Sequence, residues 1–468
     1  MAREASELAA LLGRHGQQHV LAFWDKLSAR ERVILGEQIA ALDFGLLERA
    51  QRQDPAAKSE ALNLEPEPFI RLPYDAQSVL KWRQARHVGQ EALAAGRVAA
   101  MVVAGGQGTR LGFDGPKGAF PIGPISRRTL FQIHAEKVLA ASRRYAREIP
   151  FLIMTGPSND SETKYFFKQH GFFGLPHDSV KIFQQSQMPA VDMKGKLILD
   201  APDHIFVSPD GHGGSLKALW DCGIAAWLEQ RGVDTISYFQ VDNPLVSVLD
   251  PCFIGFHIEA GAEMSLKLLE RSDPDEKLGI WVNNGGAAMV IEYSDMPEAE
   301  MHACTPDGSL KYPGGSIAIH CFDVGFVRRL NEKGIALPYH RARKKVAYLD
   351  SSGALIQPDE PNATKFEMFV FDALLLAKKT VAVETARAEE FSPVKNAEGA
   401  DSPETARRDM ARQYARWLHS IGVTVRTDAN GDPADMIEIS PLVADDSETL
   451  RMNYCGPNDV RGSLLLAQ

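Results

Sequence analysis

The chain has 468 residues, with 51 Lys or Arg against 61 Asp or Glu, a formal net charge of −10, and a hydrophobic share of 44%. This suits about three average domains with a sizeable core and excludes disordered and fibrous classes. The negative balance argues against a protein that coats nucleic acid, because such binding depends on neutralising phosphates, so any phosphorylated ligand must be met by local positive charge.

The first 95 or so residues read as helical, since Leu8, Leu11, Leu12, Val20, Leu21, Phe23, Trp24 and Leu27 recur at three- and four-residue steps. Arg3, Glu4 and Glu7 interrupt any apolar signal core at the N-terminus, and no apolar run approaches the ~20 residues that cross a bilayer. Residues 54 to 75, rich in Pro and charge, read as a wrapping or linking segment. From about 97, short β-rich runs alternate with amphipathic ones: VAAMVVA (98 to 104), a glycine loop and a helix; IPFLIMT (149 to 155) and a helix; SVKIFQQ (179 to 185); a helix near 215 to 230; then DTISYFQVD (234 to 242). The alternation implies a parallel sheet covered on both faces, with ligands beyond the carboxyl ends of its strands. GGQGTRLG, QQSQMPAVD and VDNP fall at those ends and are expected to converge on one cleft.

Beyond about 260 the strands become mixed, as in AEMSLKLLER and AAMVIEYS, with Gly-Gly pairs at 285 and 314 as turn signals. ETARRDMARQYARWLHSIG reads as an amphipathic helix, followed by a short β-like tail. The expected division is a helical region (1–95), a central domain (96–385) and a small C-terminal domain (386–468). Cys222, Cys252, Cys304, Cys321 and Cys455 are odd in number and form no CxxC pair, which fits reduced thiols and a cytoplasmic location.

The loop GGQGTRLGFDGPKG (105 to 118) follows a predicted strand, and its glycines let backbone N–H groups close around a phosphate, with Arg110 and Lys117 supplying charge. A Walker A loop needs Ser or Thr after Gly-Lys, whereas Pro116 and Gly118 flank Lys117. A dinucleotide fingerprint starting at Gly106 and Gly108 needs a small residue where Leu111 stands, which disfavours an NAD(P)-dependent oxidoreductase. The plainer reading is a glycine turn that eases a tight connection.

The run MVVAGGQGTRLGFDGPKGAFPIG resembles the nucleotide-binding signature of the UDP-sugar pyrophosphorylases. FQQSQMPAVD, SPDGHGGSLKAL, FQVDNPLV, VIEYSDMP, KFEMFVFDAL and FSPVKNAEG follow in that family's order, across residues about 15 to 440, and are most similar to its UDP-N-acetylglucosamine branch. The resemblance implies an α/β, Rossmann-like nucleotidyltransferase fold of the glycosyltransferase-A-like kind: a central mixed, mainly parallel sheet flanked by helices, with an N-terminal helical segment and a small C-terminal lobe. It implies a uridylyltransferase in which a sugar 1-phosphate oxygen attacks the α-phosphorus of UTP and pyrophosphate leaves. No protein nucleophile is needed, so catalysis must come from aligning two anions and neutralising developing charge.

By that resemblance, Val103, Ala104, Gly105 and Gly106 line the nucleotide, with Arg110 and Lys117 on the phosphates. Gln185 reads uracil through an amide that both donates and accepts; a glutamine at a strand end is otherwise only a solvated loop residue. Gly211 contacts the nucleotide and His212 the sugar. Asp242 faces ribose and a divalent cation, Mg²⁺ with Mn²⁺ as the alternative, although Asp-Asn-Pro also opens Asx turns. Glu292 and Tyr293 match a sugar-binding pair, and Lys365 and Lys395 match lysines on the nucleotide and sugar phosphates; singly, each lysine also reads as solvated surface. Arg110, Lys117 and Lys395 form the expected catalytic set. The expected partners are UTP and a sugar 1-phosphate, with no nucleic acid or membrane, in a monomer or weak homo-oligomer.

The sequence departs from the branch on the sugar side. Pro313, Ser316 and Ile319 stand where asparagines are common, and His212 replaces an asparagine, as in the UDP-glucose and broad-specificity enzymes. N-Acetylglucosamine 1-phosphate is the leading substrate, with a UDP-glucose or broad-specificity enzyme as the alternative. A non-catalytic UDP-sugar-binding protein is the reading from another class, disfavoured because the whole charge set is retained.

Overall fold

The structure, a computed structural model, describes residues 5–52, 62–334 and 337–467. The predicted linking segment therefore lies partly outside the described residues. The chain divides into two discontinuous units: Leu62–Gln184, Leu216–Ile335 and Ala373–Gln468 form the larger, and Met1–Ala61, Gln185–Ser215 and Ala336–Asp372 the smaller.

The larger unit is built on a ten-stranded sheet. Its strands are β1 (Leu64–Glu65), β2 (Val98–Val103), β3 (Phe151–Thr155), β4 (Val180–Gln184), β5 (Thr235–Gln240), β6 (Met264–Glu270), β7 (Gly279–Asn284), β8 (Ala287–Ile291), β9 (Gly314–Asp323) and β10 (Thr380–Glu384). The path is β1-β7-β9-β5-β2-β3-β4, with β8 beside β7, β6 beside β9 and β10 beside β6. Strands β5, β2, β3 and β4 run parallel, in a register that sets Gln240 beside Val103, Val103 beside Met154, and Met154 beside Phe183. Their carboxyl ends are thus level. Every residue of β2 and β3 is buried, the pattern of strands covered on both faces.

The mixed half joins through β9, antiparallel to β5, β6 and β7. Between the pairs Leu266↔His320 and Leu268↔Ser316, β6 advances two residues while β9 advances four, and Ala318 at φ 56° turns this bulge.

Helices α1 (Ala76–Ala94), α2 (Leu130–Arg144), α3 (Asp160–Gln169), α4 (Pro251–Ala260), α5 (Val324–Glu332) and α6 (Pro403–Ser420) flank the sheet. Local chemistry sets their starts: Asp75 and Ser78 form a capping box on α1, and Asp250 caps α4 ahead of Pro251 at its first turn. The helix expected near 215 to 230 is two, Gly214–Asp221 and Ile224–Gln230, because Gly223 sits between them at φ 69°. Residues 386–468 share the sheet's core through Met410, Leu418, Ile437 and Ile439. The buried carboxylate of Glu438 accepts from the backbone N–H groups of Ile125 and Ser126, both at 2.7 Å, and so ties this segment to the loop preceding α2.

The smaller unit combines helices Ala5–Arg14, Ala29–Ala41 and Phe44–Arg52 with an antiparallel sheet of Tyr339–Lys344, Ala363–Met368 and Val191–Asp192. Buried Gln17 pins its N-terminal helices to the ribbon, donating to Gly195 O at 3.0 Å and accepting from Leu197 N–H at 2.9 Å. No helix among the described residues is long and apolar enough to cross a membrane.

Candidate active site

The glycine loop begins where β2 ends. Val103 and Ala104 are buried and Gly106 is exposed, so the chain emerges from the core over four residues. Its entry is fixed by one buried side chain: Asn159 donates from Nδ2 to Ala104 O at 2.9 Å and Gly106 O at 3.0 Å, and accepts at Oδ1 from Gly156 N–H at 2.8 Å. The loop then closes on itself, with Gly108 N–H donating to Gly115 O at 2.9 Å and Lys117 N–H to Gly106 O at 3.1 Å. A Cβ at Gly108 would lie 2.7 Å from the Phe113 ring and one at Gly118 2.3 Å from the Phe131 ring, whereas one at Gly106 would meet nothing within 4 Å. Gly108 and Gly118 are thus required by packing, and Gly106 leaves open space for a ligand. Arg110, on the turn Thr109–Leu111, is exposed.

The segment after β5 meets this loop. Lys117 Nζ lies 3.2 Å from Asp242 Oδ2, with side chains 18% and 20% exposed. Val394 N–H donates to Asp242 O at 2.9 Å, which joins the segment bearing Lys395 to the same loop. The Lys395 ammonium lies 3.7 Å from Asp401 Oδ2 and 5.9 Å from the Phe391 ring centroid. The larger unit therefore brings Gly105, Gly106, Lys117, Asp242 and the Lys395 backbone together.

The post-β5 loop is held from beneath. His134 Nε2 donates to Val241 O at 3.0 Å, and Lys137 Nζ donates to Pro244 O and Val246 O, each at 2.7 Å. Burial lowers the Lys137 ammonium's pKa to about 8, with Glu390 and Asp445 opposing the shift.

The smaller unit gathers the residues predicted from QQSQ and DGHGG. Buried Gln185 donates from Nε2 to Gly211 O at 2.6 Å and to Asp210 Oδ1 at 3.2 Å. Gly211 has φ 88°, and a Cβ there would lie 2.4 Å from Met368 O, so the turn docks on the end of the Lys365 strand. Met368 N–H donates to Asp210 O at 2.6 Å, and Gly213 N–H to Met368 O at 2.8 Å. His212 accepts at Nδ1 from Val370 N–H at 3.2 Å and stacks on Phe369 at 5.5 Å. Burial, helped by His340, lowers its pKa to about 4, so the ring is neutral and carries its proton on Nε2. Lys365 Nζ lies 4.9 Å from the Phe206 ring centroid, and burial holds its pKa below the usual lysine range.

Glu292 and Tyr293 lie just past β8, three strands from β5 along the sheet, in a turn where Glu292 O accepts from Asp295 N–H at 2.9 Å and Met296 N–H at 3.1 Å. Ser316 is buried beside the β9 bulge.

Asn159, His134 and Lys137 carry site geometry but no motif marks them. Asn159 sits in a Pro-Ser-Asn-Asp run that reads as a helix cap, yet its side chain caps nothing and reaches the glycine loop instead.

Among the described residues no three His, Cys, Asp or Glu side chains form a metal cage. A single carboxylate such as Asp242 beside the glycine loop fits a cation of the Mg²⁺ type, which keeps waters and is held by one or two carboxylates plus substrate phosphates.

The structure is similar to that of the UDP-N-acetylglucosamine pyrophosphorylase from Trypanosoma brucei, solved with an inhibitor, with a TM-score of 0.83 at 26% identity over 99% of this chain and 98% of that one. The level parallel strand ends, the glycine loop and the adjoining Lys–Asp pair define an α/β fold of the nucleotidyltransferase class. The profile described as UTP–glucose-1-phosphate uridylyltransferase matches residues 62–401. Relatives include the Homo sapiens UDP-N-acetylhexosamine pyrophosphorylase-like protein 1, 37% identical over 98% of this chain and 96% of that protein. The Arabidopsis thaliana UDP-N-acetylglucosamine diphosphorylase 2 is 33% identical over 95% and 91%. The chain belongs to the UTP–glucose-1-phosphate uridylyltransferase family.

Proposed function

We propose that this protein is a uridylyltransferase that forms UDP-N-acetylglucosamine and pyrophosphate from UTP and N-acetylglucosamine 1-phosphate. The observation that carries the reading is the meeting of the glycine loop with Lys117, Asp242 and the Lys395 segment. Family membership and relatives named for this reaction support it.

In this reading Val103, Ala104, Gly105 and Gly106 present backbone to the nucleotide, while Arg110 and Lys117 offset negative charge on the phosphates as pyrophosphate departs. Gln185 reads the uracil edge, with Gly211 giving close approach, and Lys365 meets the nucleotide phosphates. Lys395 holds the sugar phosphate so that its oxygen lies in line with the α-phosphorus. Preorganised charges of this kind stabilise a transition state without reorganising as it forms. Neutral His212 offers an Nε2–H donor to the sugar, and Glu292 and Tyr293 complete the sugar contacts. A divalent cation, Mg²⁺ in this reading, would be held by Asp242 with phosphate oxygens and water and would neutralise triphosphate charge. The free thiols, among them exposed Cys222, Cys304 and Cys455, support a reducing, cytoplasmic setting.

The departures at Pro313, Ser316, Ile319 and His212 favour UDP-glucose as the second reading. A pyrophosphate-release assay with UTP, Mg²⁺ and a panel of sugar 1-phosphates separates the two. N-Acetylglucosamine 1-phosphate is expected to give the highest kcat/KM, and a higher value with glucose 1-phosphate would overturn the sugar assignment. Asparagine restored at positions 212 and 316 is expected to raise use of N-acetylglucosamine 1-phosphate, and an unchanged preference would remove both positions from the sugar contacts.

A further inference from the structure

Asn243 follows the aspartate proposed to face the cation and is itself buried. Its Nδ2 donates to Glu390 O at 2.6 Å, and its Oδ1 accepts from Ser392 N–H at 3.2 Å. Two residues further on, Val394 N–H donates to Asp242 O at 2.9 Å. Every second residue of this segment is thus bonded to the Asp242–Asn243 pair, 390 and 392 to the Asn243 amide and 394 to the Asp242 backbone, as in a strand pairing where one side-chain amide stands in for a peptide group. Only a group that both donates and accepts can do this.

The bracket rests on a buried charge cluster. Glu390 Oε2 accepts from Ser247 N–H at 3.0 Å, and Oε1 pairs with Lys267, which is 1% exposed and also pairs with Asp250 Oδ2 at 2.7 Å. Both ends of the post-β5 loop, Asn243 and Asp250, are therefore tied directly or through Lys267 to Glu390.

We propose that Asn243 is a positioning residue for uridylyl transfer, setting the spacing between Asp242 and Lys395 so that the cation-facing carboxylate and the phosphate-facing ammonium act as one preformed unit. This rests on the reading of Asp242 and Lys395 given above. Lys395 is the residue after Val394, so loss of the bracket loosens the segment that leads into it and leaves its charge in place, with the segment still held by Val394 N–H on Asp242 O at 2.9 Å and Lys395 N–H on Asp401 O at 2.7 Å. Misplacement of a catalytic group by about 1 Å costs on the order of 10² in rate, so a residue that touches no substrate can still govern turnover.

The test is a double-mutant cycle on the full chain with UTP, Mg²⁺ and N-acetylglucosamine 1-phosphate, using Asn243→Ala and Lys395→Ala singly and together. Asn243→Ala is expected to lower kcat about tenfold or more while UTP binding measured calorimetrically changes less than about threefold. With Lys395 already removed, Asn243→Ala is expected to cost less than about twofold, because residues acting through one group are not additive. In metal-free protein, hydrogen exchange at the Ser392 amide is expected to quicken about tenfold or more in Asn243→Ala, since the bond that protects it is lost. Equal losses from Asn243→Ala in both backgrounds, or unchanged exchange, would overturn the inference alone. A Lys395→Ala protein with normal turnover would overturn the reading of Lys395 and the inference with it. If Asn243→Ala does not fold, Asn243→Asp carries the same cycle, keeping the acceptor for Ser392 and losing the donor to Glu390.

Discussion

Lys117 and Asp242 illustrate how a site can be charged on both signs without collapsing. They stand 3.2 Å apart, each about four-fifths covered, so either charge alone would be poorly solvated there. Removing Lys117 therefore leaves Asp242 uncompensated and, in the proposed reading, takes away a phosphate contact. Lys117→Ala is expected to lower kcat by about 10² or more, the scale for one lost preorganised charge, and near-normal turnover would remove Lys117 from the catalytic set. Asp242→Asn is expected to raise the Mg²⁺ concentration needed for half-maximal rate, and an unchanged metal dependence would count against Asp242 as a ligand. Asn159 holds the entry of the loop proposed to face the nucleotide: Asn159→Ala strips its bonds to Ala104 O and Gly106 O and that from Gly156 N–H, and is expected to raise KM for UTP by about tenfold, with KM for the sugar phosphate nearly unchanged. Equal changes in both would show a general loss of structure. The meeting of Lys117 with Asp242 was legible because GGQGTRLG and VDNP each fall at the carboxyl end of a predicted parallel strand. Asn159 and Asn243 were not, because asparagine beside Ser, Asp or Pro has the signature of a turn and nothing local tells which distant backbone its amide will meet.

The strands of the parallel half were readable as continuous apolar runs, and their chain order gave the carboxyl-end position of GGQGTRLG and VDNP. The bulge at Ala318 was not, since an alanine at φ 56° within a strand carries no sequence mark. Helix packing was equally hidden. A Cβ at Gly89 of α1 would lie 1.9 Å from Pro251 O, and one at Gly255 of α4 would lie 1.7 Å from Ala85 O, so the two helices cross backbone to backbone through reciprocal glycines. In sequence each is an isolated helical glycine, a residue that weakens a helix unless a close approach requires it. Gly89→Ala is expected to destabilise by about 1–3 kcal/mol or more, through overpacking the structure cannot relieve. An unchanged or raised melting temperature would show that the crossing has slack.

Across the whole molecule, buried neutral histidines link stability to acid. Burial lowers the pKa of His134 to about 3 and those of His257 and His212 to about 4. The unfolded chain binds protons at these side chains near pH 6.5, and the folded chain does not until about pH 4, so their contribution is intact above pH 6.5 and is lost as pH falls toward 4. The melting temperature is expected to be level from about pH 7 to 8 and to fall below about pH 6, as the free energy of unfolding drops by up to roughly 1.4 kcal/mol per pH unit for each such histidine; a level curve down to pH 5 would contradict this. The two-unit division was the least legible feature of all, because it is made by segments far apart in sequence, such as the N-terminal helices pinned by Gln17 to Gly195 and Leu197. Reaction class is read most directly from the pyrophosphate released from UTP and N-acetylglucosamine 1-phosphate, with and without Mg²⁺. Stoichiometric pyrophosphate and UDP-N-acetylglucosamine are expected, dependent on both substrates and abolished by chelation. UTP binding without pyrophosphate release from any sugar 1-phosphate would contradict this and identify a binding protein that kept the fold.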